Sequence, residues 1–196
     1  MKFLAKYRMY FLRISIILLV FLSITNDNFR IFNFKINAVE SLQMSISGFF
    51  LVVLGSFGRI WASLYIEGNK TKNLIKSGPF SMVRNPLYVC SFLVLIGFCL
   101  AIKSLYLSIC LIIIFIVFHV PSIINEEKEL KNFHGENFTR YMIETPRLVP
   151  NIFNYKKPDS EEIVHVRINR INRTLMQVIA YMFLYTLIDI LYFISN

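Results

Sequence analysis

The chain has 196 residues, 56% of them hydrophobic, with a net charge of +9 and a mean hydropathy of +0.56. A chain of this size that is so apolar is not a water-soluble globular domain. The positive charge does not indicate a nucleic-acid partner, because the basic residues are spread along the flanks of apolar segments without a soluble recognition module. The composition therefore predicts an all-α integral membrane protein.

Five apolar segments are predicted to be transmembrane helices, which need about 20 mostly apolar residues. In chain order they are 9–25, 44–66, 86–102, 105–124 and 175–194. Because only Lys103 and Ser104 join the third to the fourth, we expect a tight helical hairpin there. The chain 1–196 is predicted to be a single polytopic domain, with a core over 59–150 that bears the sequence motifs and an additional C-terminal span.

Lysine and arginine in the loops predict the orientation of these spans. Sixteen of them flank the spans on one side and three on the other, Lys103 among the three. The N-terminus and both motif-bearing loops are therefore predicted to be cytoplasmic, in the inner membrane if the protein is bacterial, and the C-terminus external. The first segment has no small-residue cleavage pattern after it, which favours an uncleaved span over a signal peptide.

The loop between the second and third segments has the strongest local signals. Gly78 followed by proline predicts a turn. Pro86 opens the third segment, and Asn85 is the expected N-cap, with a side chain that accepts from a backbone N–H. Arg84 lies beside this helix start and Tyr88 one turn into it, which suits an anionic ligand. A capped membrane helix anchored by an arginine is the structural alternative.

A second polar segment follows the fourth span. Glu126 and Glu127 are adjacent and lie about 100° apart around a helix, so we expect one to turn into the bundle and the other to face water or to pair with Lys131. A solvated acidic turn is the alternative. Tyr141 belongs to an aromatic and apolar face that can lie over a pocket, and Arg147 is a candidate for binding an anionic group.

Several isolated residues have two interpretations each. Arg59 lies within a span, where it either faces the bundle interior or snorkels to the headgroups. Asp189 is expected to snorkel or to pair within the bundle. His119 is either a proton acceptor or a hydrogen-bonded packing residue. The three cysteines have no C-x-x-C spacing, and with no His/Cys cluster we predict no metal site.

The motifs resemble a known family when they are taken in order. They are Gly-Pro-aromatic, Arg-x-Pro-x-Tyr at 84–88, one helical hairpin, Glu-Glu-x-x-Leu at 126–130, Gly-x-x-Phe-x-x-Tyr at 135–141 and a closing proline pair. This arrangement resembles the isoprenylcysteine carboxyl methyltransferases, whose wider kin include the phospholipid N-methyltransferases. The resemblance covers roughly half of the chain, from Arg59 to Pro150.

The resemblance implies a membrane-embedded enzyme that moves a methyl group from S-adenosylmethionine to a lipophilic acceptor, either a prenylcysteine-like carboxylate or a lipid headgroup. A segment between the fourth and fifth spans would cap the cofactor on the cytoplasmic side, and the acceptor would enter from the bilayer. The implied cofactor-binding residues are Asn85, Pro86, Tyr88, Glu126, Glu127 and Tyr141. The implied catalytic residues are Arg84, Glu127 and Arg147.

Two departures separate the chain from the family pattern. Most members have histidine where this chain has Asn85, and the prenylcysteine enzymes have arginine where this chain has Glu144. The family name therefore does not fix the substrate. An NADPH-dependent membrane reductase of the sterol-reductase kind, which shares an Arg-x-Pro-x-Tyr stretch, and a catalytically silent interaction protein are the alternatives.

Overall fold

The structure, a computed structural model, describes residues 14–15, 17–19, 21–27, 31–33, 36–66, 74–157 and 168–195. The regular elements within these ranges are all helices, which confirms the predicted fold class. From residue 36 onward they are, in chain order, α1 (Ala38–Ile66), α2 (Pro79–Met82), α3 (Pro86–Ile102), α4 (Leu105–His134), α5 (Glu136–Glu144), a 3₁₀ turn (Ile152–Asn154) and α6 (Ile168–Ser195).

Three of the described helices are long and apolar enough to cross a membrane: α1, α4 and the stretch Asn172–Ile194 of α6. The shorter apolar helix α3 has the predicted bounds and is joined to α4 through Lys103 and Ser104, which confirms the hairpin. Of the predicted first span, only 14–15, 17–19 and 21–25 lie within the described residues, and these are helical.

Three helices extend beyond their predicted apolar spans. Helix α1 begins at Ala38 rather than at residue 44, α4 continues to His134 rather than ending at 124, and α6 begins at Ile168 rather than at 175. The extension of α4 is polar, but its glutamates, lysines and leucine are good helix formers, so the helix continues beyond the apolar run. Helix α4 therefore carries Glu126 and Glu127 on regular helical backbone.

Helices α1 and α3 pack through small residues. A Cβ added to Gly48 would lie 2.8 Å from the carbonyl oxygen of Gly97, and one added to Gly97 would lie 2.6 Å from that of Gly48. A Cβ on Gly55 would lie 2.6 Å from the carbonyl oxygen of Cys90. Membrane helices associate by such close backbone approach, because lipid supplies no hydrophobic drive between them.

Two polar contacts tie these helices to α6. The guanidinium of Arg59 donates to Ser91 Oγ on α3 and, at 3.4 Å, to Gln177 Oε1 on α6, so Arg59 faces the bundle interior. Lys103 is fully buried; its Nζ donates to Ser45 Oγ at 3.0 Å and lies 3.6 Å from Asp189 Oδ1. Asp189 therefore pairs within the bundle, and Lys103 is an internal cation rather than a loop charge.

Candidate functional site

The loop before α3 is shaped by Gly78. Its φ of 59° and ψ of −135° belong to a region that is essentially restricted to glycine, and an added Cβ would lie 2.3 Å from the ring of Tyr65. The Gly78 N–H donates to the carbonyl oxygen of Lys156 at 2.8 Å. The predicted turn is thus present, and it brings the chain after α5 back onto the start of α3.

Asn85 occupies the N-cap position of α3 and Pro86 its first turn, as predicted, but the prediction that the Asn85 side chain caps the helix is wrong. Its Nδ2 instead donates to Glu127 Oε1 at 3.0 Å and to the carbonyl oxygen of Arg147 at 3.2 Å. The physical reason is the buried carboxylate of Glu127, which needs donors and forms stronger hydrogen bonds than a neutral group does.

Glu127 is the centre of this arrangement and is 6% exposed. Its Oε2 accepts from Arg147 Nε at 3.0 Å and from Arg147 Nη2 at 2.8 Å. Its Oε1 lies 3.6 Å from Arg84 Nε in addition to accepting from Asn85. Two guanidinium groups and an amide therefore compensate the burial of one carboxylate.

Glu126 points in a different direction, as the helical spacing predicted for the pair. It is exposed, and its Oε1 accepts a hydrogen bond from the Tyr88 hydroxyl at 2.7 Å. The Tyr88 ring meets the His119 ring edge-on, with centroids 5.7 Å apart. His119 itself stacks on Phe115 and donates from Nδ1 to its carbonyl oxygen at 3.0 Å, which is the arrangement of the packing alternative.

Tyr141 joins α5 to α2. Its hydroxyl donates to the carbonyl oxygen of Phe80 at 2.6 Å, and its ring packs against Phe138. Burial raises the pKa of the Tyr141 phenol, although the positive charge of Arg84 acts in the opposite direction. The hydroxyl therefore remains a protonated donor at neutral pH.

A cavity of about 390 Å³ lies between the start of α3, the extension of α4 and α5, which is within the usual size range of ligand pockets. Every predicted site residue except Arg147 lines it. Arg147 instead holds Glu127 from outside the cavity. Apolar residues missed by the sequence analysis complete the wall, among them Ile75, Leu130 and Phe133. The last two lie beyond the predicted fourth span, and no face was assigned to them from the sequence.

The donor set of the cavity fits a zwitterionic ligand with an apolar part. Arg84 lines the cavity as a cation, and its Nε, 3.6 Å from Glu127 Oε1, makes no hydrogen bond within the described residues. Glu126 offers an exposed carboxylate to a cation. S-adenosylmethionine has a carboxylate, an ammonium, a sulfonium and an aromatic base, and these residues fit such a molecule. Among the residues described, no group of three or more His, Cys, Asp or Glu side chains is placed to hold a metal ion.

Known proteins are similar to this chain over about half of its length or slightly more. The profile of the phospholipid methyltransferase family matches residues 40–137. The chain is 34% identical over 115 residues to the nickel-cobalt-cadmium resistance protein NccN of Alcaligenes xylosoxydans xylosoxydans. The aligned region covers 59% of this chain and 53% of that protein. It is 36% identical over 115 residues to the cobalt-zinc-cadmium resistance protein CzcN of Cupriavidus metallidurans, covering 59% and 52%. The chain thus spans about half the length of the curated relatives it matches. No solved structure matches it.

Proposed function

Because the chain belongs to the phospholipid methyltransferase family, we propose that it is a membrane-embedded methyltransferase that uses S-adenosylmethionine and a lipophilic acceptor. The observation that carries this proposal is the composition of the cavity. Arg84, whose Nε lies 3.6 Å from Glu127 Oε1, and the exposed Glu126 line the same chamber, whose other walls are largely apolar.

Arg84 and Glu126 are the direct contacts in this proposal. Arg84 binds the carboxylate of the cofactor, and Glu126, oriented by the Tyr88 hydroxyl, binds its cationic end. Asn85 and Pro86 form the wall beside them, and the apolar rings of the chamber, Phe133 and Phe138 among them, accept the base. When bound, S-adenosylmethionine supplies an electrophilic methyl group on its sulfonium.

In this proposal Glu127, Arg147 and Tyr141 are positioning residues that do not contact the reacting atoms. The Glu127–Arg147 pair fastens the segment after α5 to α4, and Tyr141 fastens α5 to α2. Together they hold a cap on the cavity, which keeps water away from the reacting groups and holds the two substrates in register. A carboxylate acceptor needs no general base, so positioning and exclusion of water are the contributions asked of these residues.

The acceptor enters from the bilayer in this proposal, because α4, which is long and apolar enough to span a membrane, and the shorter apolar helix α3 both line the cavity. The cavity is lined by the two segments that carry most of the basic loop residues, which the positive-inside rule assigns to the cytoplasmic side. The names of the relatives add a physiological role: we propose that the methylated product raises tolerance to transition-metal ions. Growth of a deletion strain on cobalt, cadmium and zinc salts, against a strain complemented with Glu126→Gln, tests that role.

Direct binding measurements separate this proposal from its alternatives. The purified protein in detergent is titrated with S-adenosylmethionine and with NADPH, and thermal unfolding and calorimetry are followed. We expect S-adenosylmethionine alone to bind and to raise the unfolding temperature. Binding of NADPH instead would identify a reductase, and binding of neither would favour an interaction protein.

Variants locate the binding. Loss of a charged hydrogen-bond partner costs about 1.5–3 kcal/mol, so Arg84→Gln and Glu126→Gln should each weaken S-adenosylmethionine binding by roughly tenfold or more. Glu136→Gln is the matched control, since Glu136 is exposed in the first turn of α5 and does not line the cavity. Unchanged affinity in both cavity variants would contradict the proposed contacts.

A further inference from the structure

Residues 145–157, which we call the strap, return from the end of α5 along the loop before α3. Three backbone hydrogen bonds hold the strap there: Arg84 N–H to the carbonyl of Pro146 at 2.9 Å, Asn151 N–H to that of Met82 at 2.9 Å, and Gly78 N–H to that of Lys156 at 2.8 Å. The strap is therefore a fixed layer over residues 78–84 rather than a free loop.

The outer surface of the strap is apolar. Phe153 is 99% exposed, Val149 77% and Ile152 71%, so three neighbouring large side chains on a fixed backbone point away from the protein. Hydrophobic residues that are scattered singly over a surface are normal, whereas a cluster of this kind marks a contact with something apolar. The residues that follow are basic: Lys156 and Lys157 are both exposed.

Ring contacts give the level of the strap relative to the membrane. The Tyr155 ring lies 6.2 Å from the ring of Trp61, which is five residues inside the end of α1. By the helical rise, Trp61 is about 7.5 Å inside that helix end. Trp and Tyr near the end of a transmembrane helix occupy the boundary between headgroups and acyl chains. Tyr155 therefore places the end of the strap beside Trp61, at the level of this boundary.

We propose that the strap is a membrane-contact surface whose partner is the lipid leaflet around the bundle. Val149, Ile152 and Phe153 enter the boundary between headgroups and acyl chains, and Lys156 and Lys157 contact anionic headgroups, the division of apolar and basic residues that interfacial segments show. The leaflet then contacts the outer surface of the strap, and the Glu127–Arg147 pair holds the strap to the protein on its inner side. This surface lies outside the cavity, so its test is valid whether or not a cofactor binds.

Fluorescence quenching tests the proposal, because the chain has a single tryptophan. Phe153→Trp is made in a Trp61→Phe background and reconstituted into vesicles of phosphatidylcholine and phosphatidylglycerol with brominated acyl chains. We expect strong quenching by the brominated lipid and weak quenching by aqueous acrylamide. If Trp61→Phe does not fold, the variant is made in the wild-type background and the signal of the parent is subtracted.

The matched control is Asn137→Trp in the same background, at an exposed position of α5 outside the strap. Its indole should be quenched by acrylamide and little by brominated lipid. Equal lipid quenching of the two variants, or strong acrylamide quenching at position 153, would overturn the proposal.

The basic part is tested by adding Lys156→Gln and Lys157→Gln to the Phe153→Trp variant. We expect quenching in phosphatidylcholine vesicles to be unchanged, while the additional quenching that phosphatidylglycerol brings is lost. If phosphatidylglycerol brings no additional quenching even with both lysines present, the assignment to anionic headgroups is wrong.

Discussion

Arg147 donates two hydrogen bonds to a single carboxylate oxygen of Glu127, from Nε at 3.0 Å and from Nη2 at 2.8 Å. The acid is almost fully enclosed, with 7% of its side chain exposed, whereas the base is half exposed at 49%. The same carboxylate accepts from Asn85 at the start of α3. One buried charge therefore joins α4, the strap and the start of α3, and its partners come from two separate parts of the chain.

Glu127→Gln should destabilise the protein far more than Glu126→Gln. Breaking a buried pair from one side typically costs about 3–5 kcal/mol, and we expect the lower end of this range because Arg147 is half exposed. Glu126 is exposed, so its substitution should change stability by less than about 0.5 kcal/mol. Unfolding in detergent, followed by heat or by denaturant, measures both. Equal destabilisation by the two substitutions would show that Glu127 is not the organising residue.

Gly78→Ala should cost more stability than Gly135→Ala, although both glycines have positive φ. Gly135 has a φ of 52° and no atom within 4 Å of an added Cβ, whereas at Gly78 the Cβ would lie 2.3 Å from the Tyr65 ring. Backbone strain of about 1–3 kcal/mol applies to both positions, and the steric clash adds to it only at Gly78. Unfolding temperatures of the two variants compare them directly. A larger loss for Gly135→Ala would mean that Tyr65 gives way freely.

Part of this structure follows from local sequence. Pro86 and the Lys103–Ser104 break fix both ends of α3, and helical spacing alone predicts that Glu126 and Glu127 diverge. The family resemblance of the motifs also predicted seven residues that line the cavity.

The remainder depends on partners that are distant in sequence. Asn85 has the local signature of an N-cap, but Glu127, which competes for its side chain, is 42 residues away. Lys103 looks like a loop cation until Asp189 of α6 supplies its counter-charge. Local propensity ranks the conformations that a residue prefers, and tertiary contacts then choose among them.

Tyr141 should make stability depend on alkaline pH. Burial raises the pKa of its phenol in the folded protein, so the folded state binds this proton more tightly than the unfolded state does. The contribution of Tyr141 to the free energy of unfolding is fully present below about pH 10, the ordinary pKa of tyrosine. It is lost as the pH rises from there towards the folded-state pKa. Tyr141→Phe should remove this part of the pH dependence, measured as the difference in unfolding free energy between the two proteins from pH 8 to 11. Parallel curves would contradict the assignment.

The orientation can be tested with reporters. A cytoplasmic reporter inserted near Tyr155 should be active and one fused after Asn196 inactive, because sixteen basic loop residues lie on the predicted cytoplasmic side. Because Lys103 is an internal cation, only two basic loop residues remain on the predicted external side, which strengthens the predicted orientation. The reverse pattern would place the cavity outside the cytoplasm and contradict the five-span topology.

Substitutions of Asn85 distinguish a donor from a cap. A capping side chain only accepts, so Asp or Ser would replace it at a cost of a few tenths of a kcal/mol. In the structure Asn85 donates to Glu127 and to the carbonyl of Arg147. Asn85→Ser should therefore cost about 1–3 kcal/mol, the usual penalty when buried groups lose a hydrogen-bond partner. Asn85→His should be tolerated best, because an imidazole N–H can still donate.

Asn85→Asp should be the most damaging of the three at neutral pH, since it places a second carboxylate against Glu127 in a buried site. Two carboxyl groups so close together cannot both be ionised without a large energetic cost. On mild acidification the new pair should therefore share one proton. A protonated carboxyl group donates as the amide did, and stability should then recover. The measurement is the unfolding temperature of the three variants at pH 7.5 and pH 5, with wild type alongside to subtract the general effect of acid. If Asn85→Asp and Asn85→Ser match the wild type at both values, Asn85 acts only as a cap and Glu127 does not depend on its amide.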